Sequence, residues 1–107
     1  MRVFNIREHY DPDFGEHIIG SREIGRHSIY LVFGDALAGE TRQLASPGHE
    51  EILLLLSGEA RLGSGSEETT LGPDAAVYLE AGASVTLLAL TDCRYVVAGG
   101  HPAPHDH

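Results

Sequence analysis

Two residues separated by one position could do chemistry together: His49 and Glu51. Imidazole and carboxylate serve as general acids and bases, and both donate lone pairs to divalent cations. On an extended chain, residues two apart share a face with their side chains starting about 7 Å apart, so both reach one ion or one water. The plainer reading is that His49 caps a strand end and Glu51 is held by it, or by an Arg or Tyr. In either case a buried glutamate has to be paired or protonated. A second concentration of imidazole lies in GGHPAPHDH, where His101, His105 and His107 accompany Asp106. Short His-rich tracts bind metal, and Pro102 and Pro104 keep this one extended enough to fold back over an opening. His101 is its strongest candidate ligand; a solvated tail is the plainer alternative. His17 and His27 each open a strand-like segment and are weaker candidates, because a lone strand histidine more often makes a structural hydrogen bond. Tyr30 and Tyr78 are available as acid–base partners. Cys93 reads as a small buried hydrophobe, although Arg94 beside it would favour a thiolate. No serine elbow or phosphate-cradling loop is present.

Composition narrows the classes of partner. The 107 residues carry 16 acidic and 7 basic side chains, a net charge of -9, and every basic residue is Arg. Such a chain repels phosphate backbones, so nucleic acid is not an expected partner. Without Lys there is no Schiff-base or Walker-type chemistry. The longest apolar run, Ile52 to Leu56, is far below the roughly 20 residues of a spanning helix, so no membrane partner is expected. The first sixteen residues lack an apolar core, so no secretory leader is expected. A single cysteine cannot form an internal disulfide, which fits a reducing, cytoplasmic setting.

Turn signals punctuate the chain at strand-length intervals, at DPDFG, GD, SPG, SG, GSGS and LGPD. Between them HSIYLVF, EEILLLLS, EARLG, EETTLG, AAVYLE, SVTLLALT and CRYVVAG read as successive strands, which predicts an all-β sandwich or barrel. EEILLLLSGEARL contains good helix formers, but Ser57-Gly58 interrupts it and no 3.6-residue stripe crosses the glycine. Extended chain from 45 to 55 would put Ala45, Pro47, His49, Glu51, Leu53 and Leu55 on one face and Glu50 on the other. In the last strand Cys93, Tyr95 and Val97 point inward, with His101 on the same parity. The strand holding Leu87, Leu88 and Leu90 is apolar on both sides, which predicts that it packs beneath a second layer or lies in a subunit contact; a homodimer is the expected assembly. The expected divisions are an N-terminal arm with the first strand or strands (1–26), a barrel (27–100) and a His-rich tail (101–107).

Residues 36–85 resemble a cupin, a small jelly-roll β-barrel, and the likeness extends over roughly 27–100. Glu51, six residues and Gly58 match the end of the family's first motif, and Ala38-Gly39 stands where the family often has Pro-Gly. The GSGS turn, EETTLGPDAAVYLEAG and the strand from Val85 resemble the second motif. The resemblance implies a metal held by two histidines of an H-x-H pair, the glutamate and a third histidine. Here Ala45 and Pro47 fall at the H-x-H positions and Val85 at the last one, with Glu80 and Gly82 at the Pro-x-Gly. Ala, Pro and Val offer no lone pair, so the standard centre cannot assemble.

The sequence therefore favours a small-molecule-binding cupin-like protein without the standard metal centre. One alternative is a metal-dependent oxygenase or isomerase whose divalent ion sits on His49, Glu51 and His101, with His17 or His27 as further candidates. The other is a metal-free acid–base isomerase or epimerase using His49, Glu51 and Tyr30 or Tyr78.

Overall fold

A computed structural model describes residues 1–45 and 48–101. Apart from a 3-10 turn at Ile6–Glu8 and one helical turn, α1 (Ser21–Ile24), its regular elements are strands. In chain order these are β1 (Tyr10–Asp11), β2 (Glu16–Ile19), β3 (Tyr30–Ala36), β4 (Thr41–Ala45), β5 (Glu50–Ser57), β6 (Ala60–Ser64), β7 (Glu67–Leu71), β8 (Ala76–Leu79), β9 (Ser84–Ala89) and β10 (Cys93–Gly100). They form two antiparallel sheets, one ordered β1-β2-β3-β10-β5-β8 and the other β4-β9-β6-β7. The all-β class is the one expected from the turn spacing, and the two-sheet jelly-roll arrangement is the one the cupin resemblance implied.

One core fills the space between the sheets. Leu53, Leu55, Tyr95 and Val97 come from the first sheet, Leu62, Val85 and Leu87 from the second. Leu53, Leu55, Leu87 and Tyr95 have no exposed surface, and burying each such side chain contributes about 1.5–3 kcal/mol. The inward parity of Cys93, Tyr95 and Val97 follows the sequence expectation, and Arg94 is exposed. Cys93 is a buried thiol whose pKa is raised, chiefly by burial, so the activated-thiolate reading fails.

Three sequence expectations need correction. The Gly34-Asp35 pair is not a turn: β3 continues through it to Ala36, because Gly34 leaves room for the Tyr95 ring of the neighbouring strand. The even alternation from 45 to 55 also fails. In β4 the inward residues are Arg42, which is half-buried, and Leu44, which is buried; in β5 they are Glu51, Leu53 and Leu55. The parity changes because the chain passes from one sheet to the other between β4 and β5. Pro47 and the side chain of Ala45 lie outside the described residues.

The third correction concerns the strand that is apolar on both sides. The outer face of β9 meets Thr41 and Arg61 across Leu88, an ordinary mixed surface. The two-sided strands are β5 and β10. On the outer face of their sheet, Leu31, Ala98, Ile52 and Tyr78 stand in one lateral row and Phe33, Val96, Leu54 and Ala76 in the next. An antiparallel sheet with water on one side normally alternates apolar with polar residues; this one does not.

Candidate functional site

A cavity of about 400 Å³ opens between the sheets, lined by Phe14, Glu16, Ile18, His27, Ile29, Tyr30, Val32, Gln43, Leu44, His49, Glu51 and Val97, together with backbone at Gly20 and Ser21. The volume lies within the range of small-molecule sites, and a mainly apolar wall with a few convergent polar groups is their usual make-up.

The polar groups arrive by a construction used twice. Tyr30 on β3 and Glu51 on β5 are both cross-strand partners of Gly99, which lies on β10 between them. Gly99 has no side chain, and a Cβ there would meet the Tyr30 hydroxyl at 2.6 Å. The tyrosine can therefore reach across β10 and donate a hydrogen bond to Glu51 Oε2. Likewise, Tyr95 on β10 lies over its partner Gly34 on β3 and donates to Glu16 Oε2 on β2. Glu16 and Glu51 are the two buried carboxylates recorded among the described residues, each 9% exposed. Each is met by a tyrosine hydroxyl, as the cost of burying a charged group requires.

The Glu16 carboxyl is held above the usual carboxylate range, first by burial, opposed by the Tyr95 hydrogen bond and by the Arg42 guanidinium, with the Glu51 charge adding to the rise. Burial, followed by the charge and hydrogen bond of Glu16, pushes the Tyr95 phenol up, so Tyr95 remains a donor. An acid whose folded-state pKa is raised favours the fold at low pH, and loses that contribution as pH rises through the raised value. Wild-type stability relative to Glu16→Gln should therefore be greatest at or below pH 4.5, the group's ordinary value, and decline towards neutrality. Urea unfolding of both proteins across that range measures the difference; a constant gap would mean that Glu16 does not titrate as placed.

At the mouth, His49 and His101 meet. Their rings are 4.3 Å apart between centroids and their Nε2 atoms 3.2 Å apart. His101 Nδ1 lies 3.1 Å from the Gly48 carbonyl. A carbonyl only accepts, so Nδ1 carries the proton and His101 Nε2 presents a lone pair. His49 also packs edge-on against Tyr30 at 5.2 Å, and His27 against His101 at 6.2 Å.

The structure thus brings His49, Glu51, Tyr30, His101 and His27 to one end of the molecule. It does not bring His17 or Tyr78 there. His17 points to the opposite side of β2 from Glu16, against Tyr10 and Phe33. Tyr78 stands on the outer face of β8 and donates to Glu50 at 2.6 Å. Strand parity sends both outward. His105 and His107 lie outside the described residues. The sequence reading overlooked Glu16, Arg42 and Gln43: the strand-like segment at GEHIIG was weighed for His17 alone, and β4 was not recognised as a strand. The available signals were the alternation in EHII and a glycine inside a strand, which marks a close approach by a neighbour.

A metal at the position implied by the cupin resemblance does not fit these residues. Val85 is buried in the core and Leu44 is the buried residue of β4, and neither offers a donor atom. Among the described residues no group of three or more His, Cys, Asp or Glu is arranged to hold a metal ion.

Comparison with known proteins places this geometry in a wider group. No protein-family model and no curated protein matches the chain. Among solved structures it is similar to ectoine synthase from P. lautus, at 19% identity and a TM-score of 0.74 over 95% of this chain and 79% of that one. It is also similar to an uncharacterised protein with a double-stranded β-helix domain from Klebsiella pneumoniae, at 15% identity and a TM-score of 0.72 over 98% and 94% of the two chains. A cupin superfamily protein from Desulfitobacterium hafniense matches at 14% identity and a TM-score of 0.66, covering 72% of this chain and 71% of that one. At such identities the likeness speaks for architecture alone: the chain shares the double-stranded β-helix type of fold of these solved structures.

Proposed function

We propose that the cavity binds a small organic molecule with a cationic or hydrogen-bond-donating head and an apolar body, without the standard cupin metal centre. The observation that carries this reading is that Glu16 and Glu51 both line the cavity, where among the described lining residues there is no arginine; Arg42, outside that lining, offsets only part of the effect of burial on Glu16. Each carboxylate takes one hydrogen bond from tyrosine and keeps acceptor capacity for a ligand. Phe14, Ile18, Ile29 and Val32 supply the apolar wall. An ammonium or amidinium group would gain a charge-assisted hydrogen bond in a poorly hydrated site, whereas a carboxylate ligand would be repelled.

A panel of small primary amines, diamines and guanidines, matched with alcohols and carboxylates of the same size, tests this by thermal denaturation. Saturating a site at 100 times its dissociation constant stabilises the fold by about 2.7 kcal/mol. At least one cationic probe should raise the melting temperature, its neutral and anionic counterparts should not, and Glu51→Gln should abolish the effect. Glu68→Gln, on β7 of the other sheet, is the control for the overall negative charge. Equal stabilisation by neutral probes, or none by any cation, would refute the reading. Hits then serve as substrates in turnover assays for acid–base chemistry by His49, Glu51 and Tyr30.

The His49–His101 contact favours a second reading, a divalent ion taken up between these two imidazoles, with no third His, Cys, Asp or Glu grouped with them among the described residues. Two nitrogens bound at about 2.0–2.1 Å to one tetrahedral ion stand about 3.3 Å apart, close to the 3.2 Å found here. Titration with zinc alone decides it: stoichiometric uptake, lost in both His49→Ala and His101→Ala, would favour this reading over the first.

A further inference from the structure

We propose that the cavity takes a linear dication, an α,ω-diamine that sets one ammonium group on Glu16 and the other on Glu51, with its methylene chain laid over Val32 and Val97. This rests on the cation-binding reading of the same cavity and adds to it a second charged end at a fixed distance from the first.

The strand register carries the assignment. β3 and β10 pair antiparallel, with Val32 facing Val97. An antiparallel pair has a local twofold axis at such a position, so residues equally displaced along the two strands correspond. Here they correspond in type as well. Gly34 is matched by Gly99, and Tyr30 by Tyr95. Each tyrosine lies over the glycine of the neighbouring strand, where a Cβ would overlap it. Each hydroxyl then donates to a glutamate one strand further on, Tyr30 to Glu51 of β5 and Tyr95 to Glu16 of β2. Glu51 is the partner of Gly99, and Glu16 precedes His17, the partner of Phe33, which sets it beside Gly34. Two Tyr–Gly–Glu rows therefore cross the sheet in opposite directions, one on either side of the Val32–Val97 pair.

This arrangement selects a ligand charged at both ends. Glu16, Glu51, Val32 and Val97 line one cavity, as does Ile18, the β2 partner of Val32. The surface between the two acids is thus aliphatic. Four residues of strand, about 13 Å, separate the two rows. One ammonium group cannot touch both carboxylates over that span, whereas an alkyl chain with an ammonium at each end can. A monoamine seated on Glu51 would turn its apolar end towards Glu16 and leave that buried carboxyl without a cation from the ligand. The two acids also act on one another: the Glu51 charge adds to the rise of the Glu16 pKa, and Arg42 offsets only part of that rise. A dication relieves this repulsion at both ends at once. The net charge of -9 draws such a ligand towards the protein.

Isothermal titration calorimetry of the full chain tests the assignment, with unbranched diamines from diaminopropane to diaminodecane, each beside the monoamine of equal length. Affinity should peak at one intermediate length and fall for shorter and longer diamines. At the peak the diamine should bind at least about 10-fold more tightly than its monoamine, the worth of one further charge-assisted hydrogen bond. Glu16→Gln should remove that advantage, and Glu68→Gln, on β7 of the other sheet, should keep it. Circular dichroism establishes that both variants fold, and the length profile is read on the wild type without either. A steady rise of affinity with chain length, diamines no tighter than monoamines, or a folded Glu16→Gln protein that keeps the advantage would each overturn the dication. Monoamine binding that depends on Glu51 would in those cases leave the proposed function standing. Failure of every amine to bind would overturn both.

Discussion

Gly58→Ala should destabilise the protein by at least about 3 kcal/mol, the largest loss we expect from adding a single carbon atom. Gly58 closes the turn between β5 and β6 at φ +84°, in the left-handed region where a Cβ costs roughly 1–2 kcal/mol. Space compounds the conformational strain. A Cβ at this position would overlap the Asp92 carbonyl oxygen and approach the Cys93 Cβ to 2.8 Å. These are backbone and near-backbone atoms at the start of β10, a strand paired on both sides, and they cannot rotate away. Overpacking of this kind costs a further 1–3 kcal/mol or so. Urea denaturation gives the difference directly, and the melting temperature should fall by about 12 °C or more. A loss under about 1 kcal/mol would mean that the turn has another geometry. The same turn fixes where Glu51 sits, because β5 runs unbroken from that glutamate to the glycine.

Gly34→Ala should cost nearly as much, for a different reason. Its backbone conformation suits any residue; what it lacks is room. An added Cβ would fall within the Tyr95 ring, and that ring is fully buried with its hydroxyl on Glu16. Either the tyrosine moves and leaves the Glu16 carboxyl without its donor, or β3 and β10 separate. The first route abandons a buried polar group at about 1–3 kcal/mol, and the second breaks ladder hydrogen bonds in the centre of the sheet. A loss of about 2–4 kcal/mol is expected. Tyr95→Phe separates the two contributions, since it keeps the ring and removes only the hydroxyl. Gly34→Ala should be clearly worse than Tyr95→Phe in chemical denaturation. Equal losses would place the whole effect in the hydroxyl–carboxylate contact.

Much of the framework was legible along the chain because it depends on local pattern. EEILLLLS is β5 residue for residue, AAVYLE and SVTLLALT each contain the strand found there, and CRYVVAG falls one residue short of β10. Period-two alternation placed Glu51 inside and Glu50 outside, and turned Cys93, Tyr95 and Val97 to the core. It could not reveal β4, whose five residues carry too few apolar positions to define a period. The strand-like segment that became β2 was weighed for His17, and Glu16, on its other face, was lost from the site. The apolar stretch at Leu87–Leu90 was read as packing beneath a second layer or lying in a subunit contact, because both of its faces carry leucine. Pairing with Thr41 and Arg61 makes its outer surface ordinary. The sheet whose outer face carries two apolar rows draws them from four separate stretches of chain.

Taken alone, the amino-acid order determined the strand rhythm, the turn at Gly58 and the inward acid at position 51. Residue type and nearest-neighbour spacing suffice for each of these. Which groups meet was decided by the tertiary structure. Tyr30 reaches Glu51 across Gly99, Tyr95 reaches Glu16 across Gly34, and His49 meets His101 fifty-two positions away. Each meeting depends on the lateral register of strands distant in sequence, and that register is set by the packing of the whole core between the two sheets.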